Sequence, residues 1–342
     1  MIDLELPQPY LIFLGDITVA PFAKTAFGLR DWARERCVGE YALPAATVST
    51  GLPRLAPAEA RARGARSMVI GAAPVGGKIT ASWVPALEEA LEAGLDLVSG
   101  MHTRLESVPR LAERAAQLER RLINLRQPPA GLPTGTGRKR SGRRLLTVGT
   151  DCALGKKYTA LSLAREFKKR GIDADFRATG QTGILIAGRG IAIDSVVADF
   201  VAGAAELLSP DAATEHWDVV EGQGSLFHPA YAGVSLGLLH GSQPDVIVMC
   251  HEVGRDRVLG LPEYATPSVR EAIELTLTLA RRTNPEVRCA GVSLNTVSLD
   301  AAQARAILQK YQRELGWPVA DPLRAGAELD RLVDVCLEGE LR

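Results

Sequence analysis

A glycine-bounded loop between a strand and a helix is the feature that most constrains this chain. The apolar run Leu145–Val148 predicts a β-strand, and Tyr158–Phe167 has the apolar periodicity of an α-helix. Between them, residues 149–157 read Gly-Thr-Asp-Cys-Ala-Leu-Gly-Lys-Lys. This order is typical of a P-loop, in which backbone N–H groups, a helix N-terminus and a lysine surround a phosphate. It predicts an α/β fold with a phosphate site at the loop.

The loop differs from the commonest P-loop at the residue after its lysine. Lys157 follows Lys156, at the position where a Ser or Thr hydroxyl usually binds Mg²⁺. Thr159 is two helical residues further on and points roughly 200° around the helix axis. We therefore predict no metal here and a bound phosphate that serves as a handle. The residues predicted to bind the cofactor at this loop are Gly149, Thr150, Asp151, Cys152, Gly155, Lys156, Lys157 and Tyr158.

Length and composition favour a two-domain globular protein. The chain has 342 residues, and its 40 Lys and Arg balance its 40 Asp and Glu, so no charge excess points to nucleic acid or a membrane surface. It has no apolar stretch of transmembrane length and no signal-peptide pattern at its start. The five cysteines are scattered without a Cys-x-x-Cys pair, which favours reduced thiols. We expect a cytoplasmic protein that binds a small-molecule substrate, and we expect a homo-oligomer.

A Pro- and Gly-rich segment followed by basic residues divides the chain. Before it, apolar runs alternate with helical runs, which predicts a small Rossmann-like parallel α/β domain. After it, the alternation continues around the P-loop. We predict a Rossmann-like domain over residues 1–128, an exposed linker with a solvated basic run over 129–142, and a P-loop NTPase-like doubly wound domain over 143–342.

Polar residues follow the predicted strands of the second domain. The carboxyl ends of parallel strands meet at one edge of a sheet, where ligands bind. Asn295 ends one such strand, and its amide is suited to two edge atoms of an adenine. Guanidinium groups near strand ends match the carboxylates of a substrate. The residues predicted to bind substrate are Thr179, Gln181, Thr182, Gln223, Ser225 and His251, with the arginines Arg177, Arg189 and Arg255.

Three runs of the second domain resemble the signatures of dethiobiotin synthetase. They are residues 148–156, 220–224 and 291–295, and the resemblance fails at Lys157, where that enzyme has a threonine that binds Mg²⁺. The whole chain resembles a two-domain family of D-glutamate N-acetyltransferases. The shared runs are the P-loop, Thr-Gly-Gln-Thr-Gly at 179–183, and Glu-Gly-Gln-Gly-Ser with a later His-Pro from 221.

The resemblance implies acetyl transfer from acetyl-CoA, as cosubstrate, to the amine of an acidic amino acid such as D-glutamate. Such a reaction needs a base for the amine. Glu221 is the favoured base or amine anchor because it directly follows a strand, and His228 on the same segment is its partner or substitute. Backbone N–H groups of residues 222–225 are candidate donors to the tetrahedral oxyanion.

Two other functions stay open at this point. One is an ATP-dependent ligase or carboxylase of the dethiobiotin-synthetase type, with Glu221 holding Mg²⁺. The other is a non-catalytic nucleotide-binding switch. The sequence does not determine the acceptor, its stereochemistry, the oligomeric state or the role of the first domain.

Overall fold

The computed structural model describes residues 6–74 and 76–338, which form two compact units. The first unit contains the described residues up to Pro128 together with Gln181–Ser195. The second contains Pro129–Gly180 and the described residues from Val196 onward. Each unit is built on a parallel β-sheet with α-helices, so the predicted α/β class is confirmed.

The first unit has a five-stranded parallel sheet in the order β2-β1-β3-β4-β5. The strands are β1 (Tyr10–Gly15), β2 (Cys37–Ala42), β3 (Ser67–Ile70), β4 (Asp96–Ser99) and β5 (Leu122–Asn124), and the helices before the second unit are α1 (Lys24–Trp32), α2 (Pro57–Ala62), α3 (Val84–Glu92) and α4 (Pro109–Gln117). Every residue of β1 is buried, as expected for an apolar central strand covered on both faces. Phe13 on this strand packs edge-on against Trp83, with ring centroids 5.6 Å apart.

The short helix α6 (Gln181–Ala187) also belongs to the first unit, although it follows the P-loop in the chain. It packs against α1, where the hydroxyl oxygens of Thr25 and Thr182 are 3.0 Å apart. Arg36 donates to the carbonyl oxygen of Ile186 at 2.8 Å. The chain therefore crosses from the second unit to the first and back, a crossing that the continuous boundaries predicted from the sequence do not contain.

The second unit has a six-stranded parallel sheet in the order β13-β12-β9-β6-β8-β7 and a separate antiparallel hairpin. The sheet strands are β6 (Arg143–Gly149), β7 (Ala174–Arg177), β8 (Trp217–Val220), β9 (Val246–Glu252), β12 (Arg288–Asn295) and β13 (Val319–Ala320), and the hairpin is β10 (Arg257–Val258) with β11 (Leu261–Ala265). The helices are α5 (Lys156–Lys169), α7 (Val201–Leu208), α8 (Ala232–Ser242), α9 (Val269–Ala280), α10 (Ala301–Leu315) and α11 (Ala327–Leu337).

Strand β6 lies between β8 and β9, at the point where the strand order reverses along the chain. In open parallel sheets the crevice at the carboxyl ends of strands around such a reversal is where ligands bind. The helix that follows β6 is anchored by its apolar face, where Phe167 packs edge-on against Trp217 with ring centroids 5.4 Å apart. This packing fixes the loop between β6 and α5 at the ligand-binding edge.

The basic run before β6 is exposed at Arg138 and Lys139, as expected for a solvated linker, but its third residue, Arg140, is buried. Arg140 is only 5% exposed, and its guanidinium donates to the carbonyl oxygens of Ser209 and Gly241 at 2.7 Å each. These carbonyls lie just after α7 and in the last turn of α8, where backbone oxygens lack partners within the helix. Lys139 adds an ion pair of 2.6 Å with Asp245. Arg140 therefore satisfies carbonyl oxygens at the C-terminal ends of α7 and α8.

None of the helices in the described part of the chain is both long and apolar enough to cross a bilayer. All five cysteines are free thiols.

Candidate functional site

The P-loop after β6 has the geometry of an anion-binding nest. Ala153 and Gly155 both have positive φ, 57° and 111°, which turns the loop back on itself before α5 begins at Lys156. Among the described residues, the N-cap Gly155 makes no side-chain cap at the N-terminus of α5. The positive end of the helix dipole therefore faces the loop, where an anion is favoured.

Lys156 lies beneath this nest. The side chain is 7% exposed, and its Nζ donates to the carbonyl oxygen of Asp151 at 2.8 Å. Burial lowers the pKa of Lys156 from its ordinary 10.5, because desolvation disfavours the ammonium. A bound phosphate would reverse that penalty by pairing with the charge.

A small cavity of about 20 Å³ adjoins Lys156 and the segment Gly222–Ser225. This volume is enough for one water molecule. Gly222 at its edge approaches the backbone of β6 so closely that a Cβ there would lie 1.7 Å from the carbonyl oxygen of Thr147. Only glycine fits at this position.

The hydroxyl of Thr159 is already used inside the protein. Its Oγ1 donates to the carbonyl oxygen of Gly155 at 3.2 Å and lies 2.7 Å from Oγ of Ser293. It therefore does not replace the Mg²⁺-binding hydroxyl that Lys157 displaces. Lys157 itself places its Nζ 4.9 Å from the ring centre of Tyr158.

Two residues at the start of the loop are held by the end of β9 and by the hairpin. Oγ1 of Thr150 is 2.9 Å from Nδ1 of His251, a buried ring whose pKa is lowered by desolvation. Oδ2 of Asp151 accepts from Arg255 at 3.1 Å and from the backbone N–H of Leu259 at 2.8 Å. Oδ1 of Asp151 has no hydrogen-bond partner among the described residues, although Asp151 is fully buried.

Glu221 is buried at the end of β8 and is oriented by the backbone of the next strand end. Its Oε2 accepts the N–H groups of Thr179 and Gly180 at 3.0 and 3.1 Å. The hydroxyl of Thr179 donates to the carbonyl oxygen of Glu221 and accepts from the amide of Gln223 at 3.1 Å. Ser225 donates to the carbonyl oxygen of Gly149 at 2.9 Å, which ties this segment to the P-loop.

His228 joins the same cluster, but both of its ring nitrogens are occupied. Nδ1 accepts the backbone N–H of Ala230 at 3.1 Å, so Nε2 carries the proton that it donates to the carbonyl oxygen of Leu259 at 3.1 Å. In this arrangement His228 has no lone pair available to take a proton from an amine. Which of Glu221 and His228 acts as the general base stays a prediction.

Three of the predicted substrate residues bond to other side chains of the protein. Arg177 is 5% exposed and forms a buried ion pair with Asp218 on the adjacent strand at 2.5 Å, and its role in substrate binding stays a prediction. Thr182 is bonded to Thr25 within the first unit. Gln181 accepts from Arg126 at 2.6 Å in that unit.

The remaining candidates lie at strand ends or in the first unit. Asn295 ends β12 opposite Glu252 of β9, and its Oδ1 accepts the N–H of Val297 at 3.1 Å. Arg255 also pairs with Glu252. Arg189 belongs to the segment that packs with the first unit. For Asn295, Arg255 and Arg189, ligand binding stays a prediction.

The hairpin is a part of the site that no sequence motif predicts. The backbone of Leu259, in the turn between β10 and β11, binds both Asp151 and His228. Residues 257–265 carry no motif that points to this role, since the contacts use main-chain atoms that any residue supplies.

Both halves of the chain match known domains of one protein family. Residues 132–333 match the P-loop domain of DUF1611, and residues 35–128 match the Rossmann-like N-terminal domain of the same family, both described as domains of unknown function. The chain is also similar to the crystal structure of a DUF1611 family protein from Anabaena variabilis. That similarity has a TM-score of 0.88, an identity of 34%, and coverage of 97% of this chain and 100% of the other.

Two bacterial proteins named D-glutamate N-acetyltransferase are similar over nearly their full length. The protein from a Pseudoalteromonas species is 48% identical over 325 residues, covering 95% of this chain and 98% of the relative. The protein from Tritonibacter scottomollicae is 47% identical over 329 residues, covering 96% and 98%. The chain therefore belongs to the DUF1611 family, with a Rossmann-like N-terminal domain and a P-loop C-terminal domain.

Proposed function

We propose that this protein transfers an acetyl group from acetyl-CoA to the amine of an acidic amino acid, D-glutamate in the first instance. The observation that carries the proposal is a phosphate nest without a free metal-binding hydroxyl. The N-cap of α5 is a glycine and precedes the buried Lys156, while Lys157 and the engaged Thr159 leave no hydroxyl for Mg²⁺. Such a site suits a cofactor whose phosphates are held and never cleaved. The names of the two similar proteins support the same activity.

In this proposal the P-loop binds phosphate groups of coenzyme A, and Lys157 adds a second positive charge for them. Asn295, at the end of a strand on the same edge of the sheet, hydrogen-bonds the adenine through its amide. No phosphoryl group is transferred, so the nest contributes affinity and orientation rather than chemistry.

Glu221 supplies the base. The amine attacks the acetyl carbonyl only after losing a proton, and the tetrahedral intermediate then needs donors for its oxyanion before the thiolate of CoA leaves. Two backbone N–H groups hold the Glu221 carboxylate in one orientation. The backbone N–H groups of Gln223, Gly224 and Ser225 are the proposed oxyanion donors. The N–H of Gly222 is excluded because it donates to Thr147 at 3.0 Å.

The acidic acceptor needs cationic partners for its carboxylates. Arg255 is the proposed partner within the second unit, while Arg177 and Arg189 stay candidates from the sequence. Arg255 is 20% exposed at its side chain and already lies among the carboxylates of Asp151 and Glu252, so its guanidinium is oriented before a substrate arrives. A panel of acceptors tests this recognition: equal rates with neutral amino acids would contradict it.

Calorimetry with and without Mg²⁺ separates this function from the two alternatives. We expect acetyl-CoA to bind in Mg²⁺-free buffer and D-glutamate to release free CoA thiol from it. ATP binding that requires Mg²⁺ would instead support a ligase or carboxylase. Binding of nucleotide with no turnover of any amine would support a non-catalytic switch.

The cellular setting is part of the proposal. Free thiols and an acetyl-CoA substrate fit the cytoplasm, and the balanced charge favours a small-molecule enzyme over a nucleic-acid or membrane-surface protein. Homo-oligomer formation is tested by light scattering on the purified protein.

A further inference from the structure

We infer that Asp151, Cys152 and His228 form a binding site for a thiophilic divalent metal ion, of the Zn²⁺ or Co²⁺ class. One carboxylate oxygen, the Sγ and one ring nitrogen of these residues lie within 4.8 Å of one another. Metal–ligand bonds of about 2.0–2.3 Å place tetrahedral ligands roughly 3.3–3.8 Å apart. The three ligand atoms therefore need to move about 1 Å closer to one another to bind a tetrahedral metal ion.

The buried carboxylate supplies independent evidence for a cation here. Oδ2 of Asp151 is occupied by Arg255 and by the N–H of Leu259, whereas Oδ1 is buried and without a hydrogen-bond donor among the described residues. Leaving a buried carboxylate oxygen unpaired is unfavourable, because the oxygen has lost its water without gaining a donor. A metal ion bound at Oδ1 removes that cost while Oδ2 keeps both of its present partners.

The surroundings of His228 fit a metal ligand better than a base. A histidine that binds a metal through one ring nitrogen typically donates its other N–H to a carbonyl or carboxylate, which fixes the ring. Nε2 of His228 makes such a contact with the carbonyl oxygen of Leu259. Binding through Nδ1 would keep this contact and replace the 3.1 Å contact of Nδ1 with the N–H of Ala230.

The ligand set selects the class of metal. A thiolate and an imidazole favour Zn²⁺, Co²⁺ or Fe²⁺, whereas Mg²⁺ prefers a shell of oxygen ligands. Three protein ligands leave a fourth position for water or for a ligand oxygen, since the site lies within the P-loop itself. Two negative charges, from Asp151 and the Cys152 thiolate, balance the divalent ion beside the cations Arg255 and Lys156.

Cobalt titration of the full, untagged chain tests the site without acetyl-CoA or acceptor, so its outcome is separate from that of the proposed activity. After removal of bound metal, we expect one equivalent of Co²⁺ to give a thiolate charge-transfer band, which Zn²⁺ abolishes and Mg²⁺ does not. Cys152→Ser should remove the band. Asp151→Asn should weaken Co²⁺ binding by about tenfold or more, the size expected for a lost charged contact.

Cys37→Ser is the matched control, because Cys37 is a half-buried thiol in the first unit and should leave the band unchanged. A second readout is alkylation: Zn²⁺ should protect Cys152, mapped by mass spectrometry, and leave the rate at Cys37 unaltered. If wild-type protein binds no stoichiometric Co²⁺, or if Cys152→Ser keeps the full band, the inference is overturned. If Cys152→Ser does not fold, the Asp151→Asn affinity and the alkylation pattern decide.

Discussion

The buried charge of Lys156 lowers the stability of the protein without ligand. Its ammonium is buried beneath the P-loop and donates to the carbonyl oxygen of Asp151 at 2.8 Å. Desolvation by burial lowers its pKa from 10.5. Between the lowered pKa and 10.5 the unfolded chain binds more protons than the folded one, so the stability of the protein rises with pH in that window.

Replacement of Lys156 by methionine should therefore stabilise the protein without ligand. We expect Lys156→Met to raise the free energy of unfolding by on the order of 1–3 kcal/mol at neutral pH, because no charge is then buried. This advantage should shrink as the pH rises through 10.5 and disappear above it, where the wild-type lysine is neutral in both states. Urea unfolding across pH measures it. If the wild type is more stable than Lys156→Met at neutral pH, the prediction is contradicted, because the buried ammonium is then stabilised by other groups in the fold.

The same lysine should matter for affinity more than for chemistry. Lys156→Ala removes a charge-assisted contact to phosphate worth about 1.5–3 kcal/mol, so acetyl-CoA should bind about tenfold or more weakly. The kcat at saturating acetyl-CoA should change much less, because the phosphate is not transferred. Calorimetry and steady-state kinetics together test this. An unchanged KM with a collapsed kcat would contradict the role of Lys156 as a phosphate anchor.

Glu221 is expected to act on the chemical step. Glu221→Gln keeps the size of the side chain and removes the base, so kcat should fall by roughly 10²-fold or more while acetyl-CoA still binds. Glu252, the carboxylate at the end of β9, provides the comparison. If Glu252→Gln loses the activity and Glu221→Gln retains it, the base lies at β9, beside His251.

At the scale of one element, the two ends of α5 offer a controlled comparison. Gly155 before the helix and Gly171 after it both have positive φ, 111° and 77°, and a Cβ at either would meet no atom within 4 Å. Alanine at each position should thus cost about 1–2 kcal/mol through backbone strain alone. Only Gly155 belongs to the phosphate nest.

We expect Gly155→Ala to weaken the binding of CoA and Gly171→Ala to leave it unchanged. Both variants should lose a similar amount of folding stability. Thermal unfolding and calorimetry on the two variants measure the two effects separately. Equal affinity in both variants would mean that the loop conformation before α5 does not bind the phosphate.

The hairpin of β10 and β11 shows how main-chain contacts assemble the site. Leu259 is 45% exposed at its side chain, yet its N–H and carbonyl fix Asp151 and His228. Its identity is therefore less important than its backbone position. This explains why the residue carries no recognisable signature.

At the scale of the whole molecule, the chain interleaves its two units. Ile184 and Leu185 of α6 are fully buried in the first unit, although the P-loop precedes them and β8 follows them in the chain. A fragment that starts at Pro129 would expose these side chains to water.

We expect residues 129–342 expressed alone to bind a hydrophobic dye and to aggregate, because α6 then lacks α1, the helix that it packs against. Co-expression with residues 1–128 should restore a monodisperse complex, measured by size-exclusion chromatography. The matched control is the intact chain cut by an inserted protease site near residue 129, which should stay associated. A fragment 129–342 that is monomeric and dye-free would contradict the interleaved arrangement.

The sequence alone determined the α/β class, the P-loop and the absence of a Mg²⁺-binding hydroxyl. Each of these can be read from residues that are neighbours in the sequence: a strand, a glycine-bounded loop, a lysine and a helix follow one another directly. In such an order the backbone N–H groups of the loop and the helix dipole favour a bound phosphate. The shared runs around residues 149, 179 and 221 were enough to predict the family, which the comparisons confirm.

Tertiary structure decided which polar side chains remain available. Arg177 at a strand end forms an ion pair with Asp218, and Arg140 in the basic run donates hydrogen bonds to helix carbonyls. Both pairings form because buried polar groups need hydrogen-bond partners inside the fold. The same packing left Oδ1 of Asp151 without a hydrogen-bond partner in the described part of the chain, in a residue that lies near Cys152 and His228. These pairings join residues far apart in sequence, so no local pattern contains them.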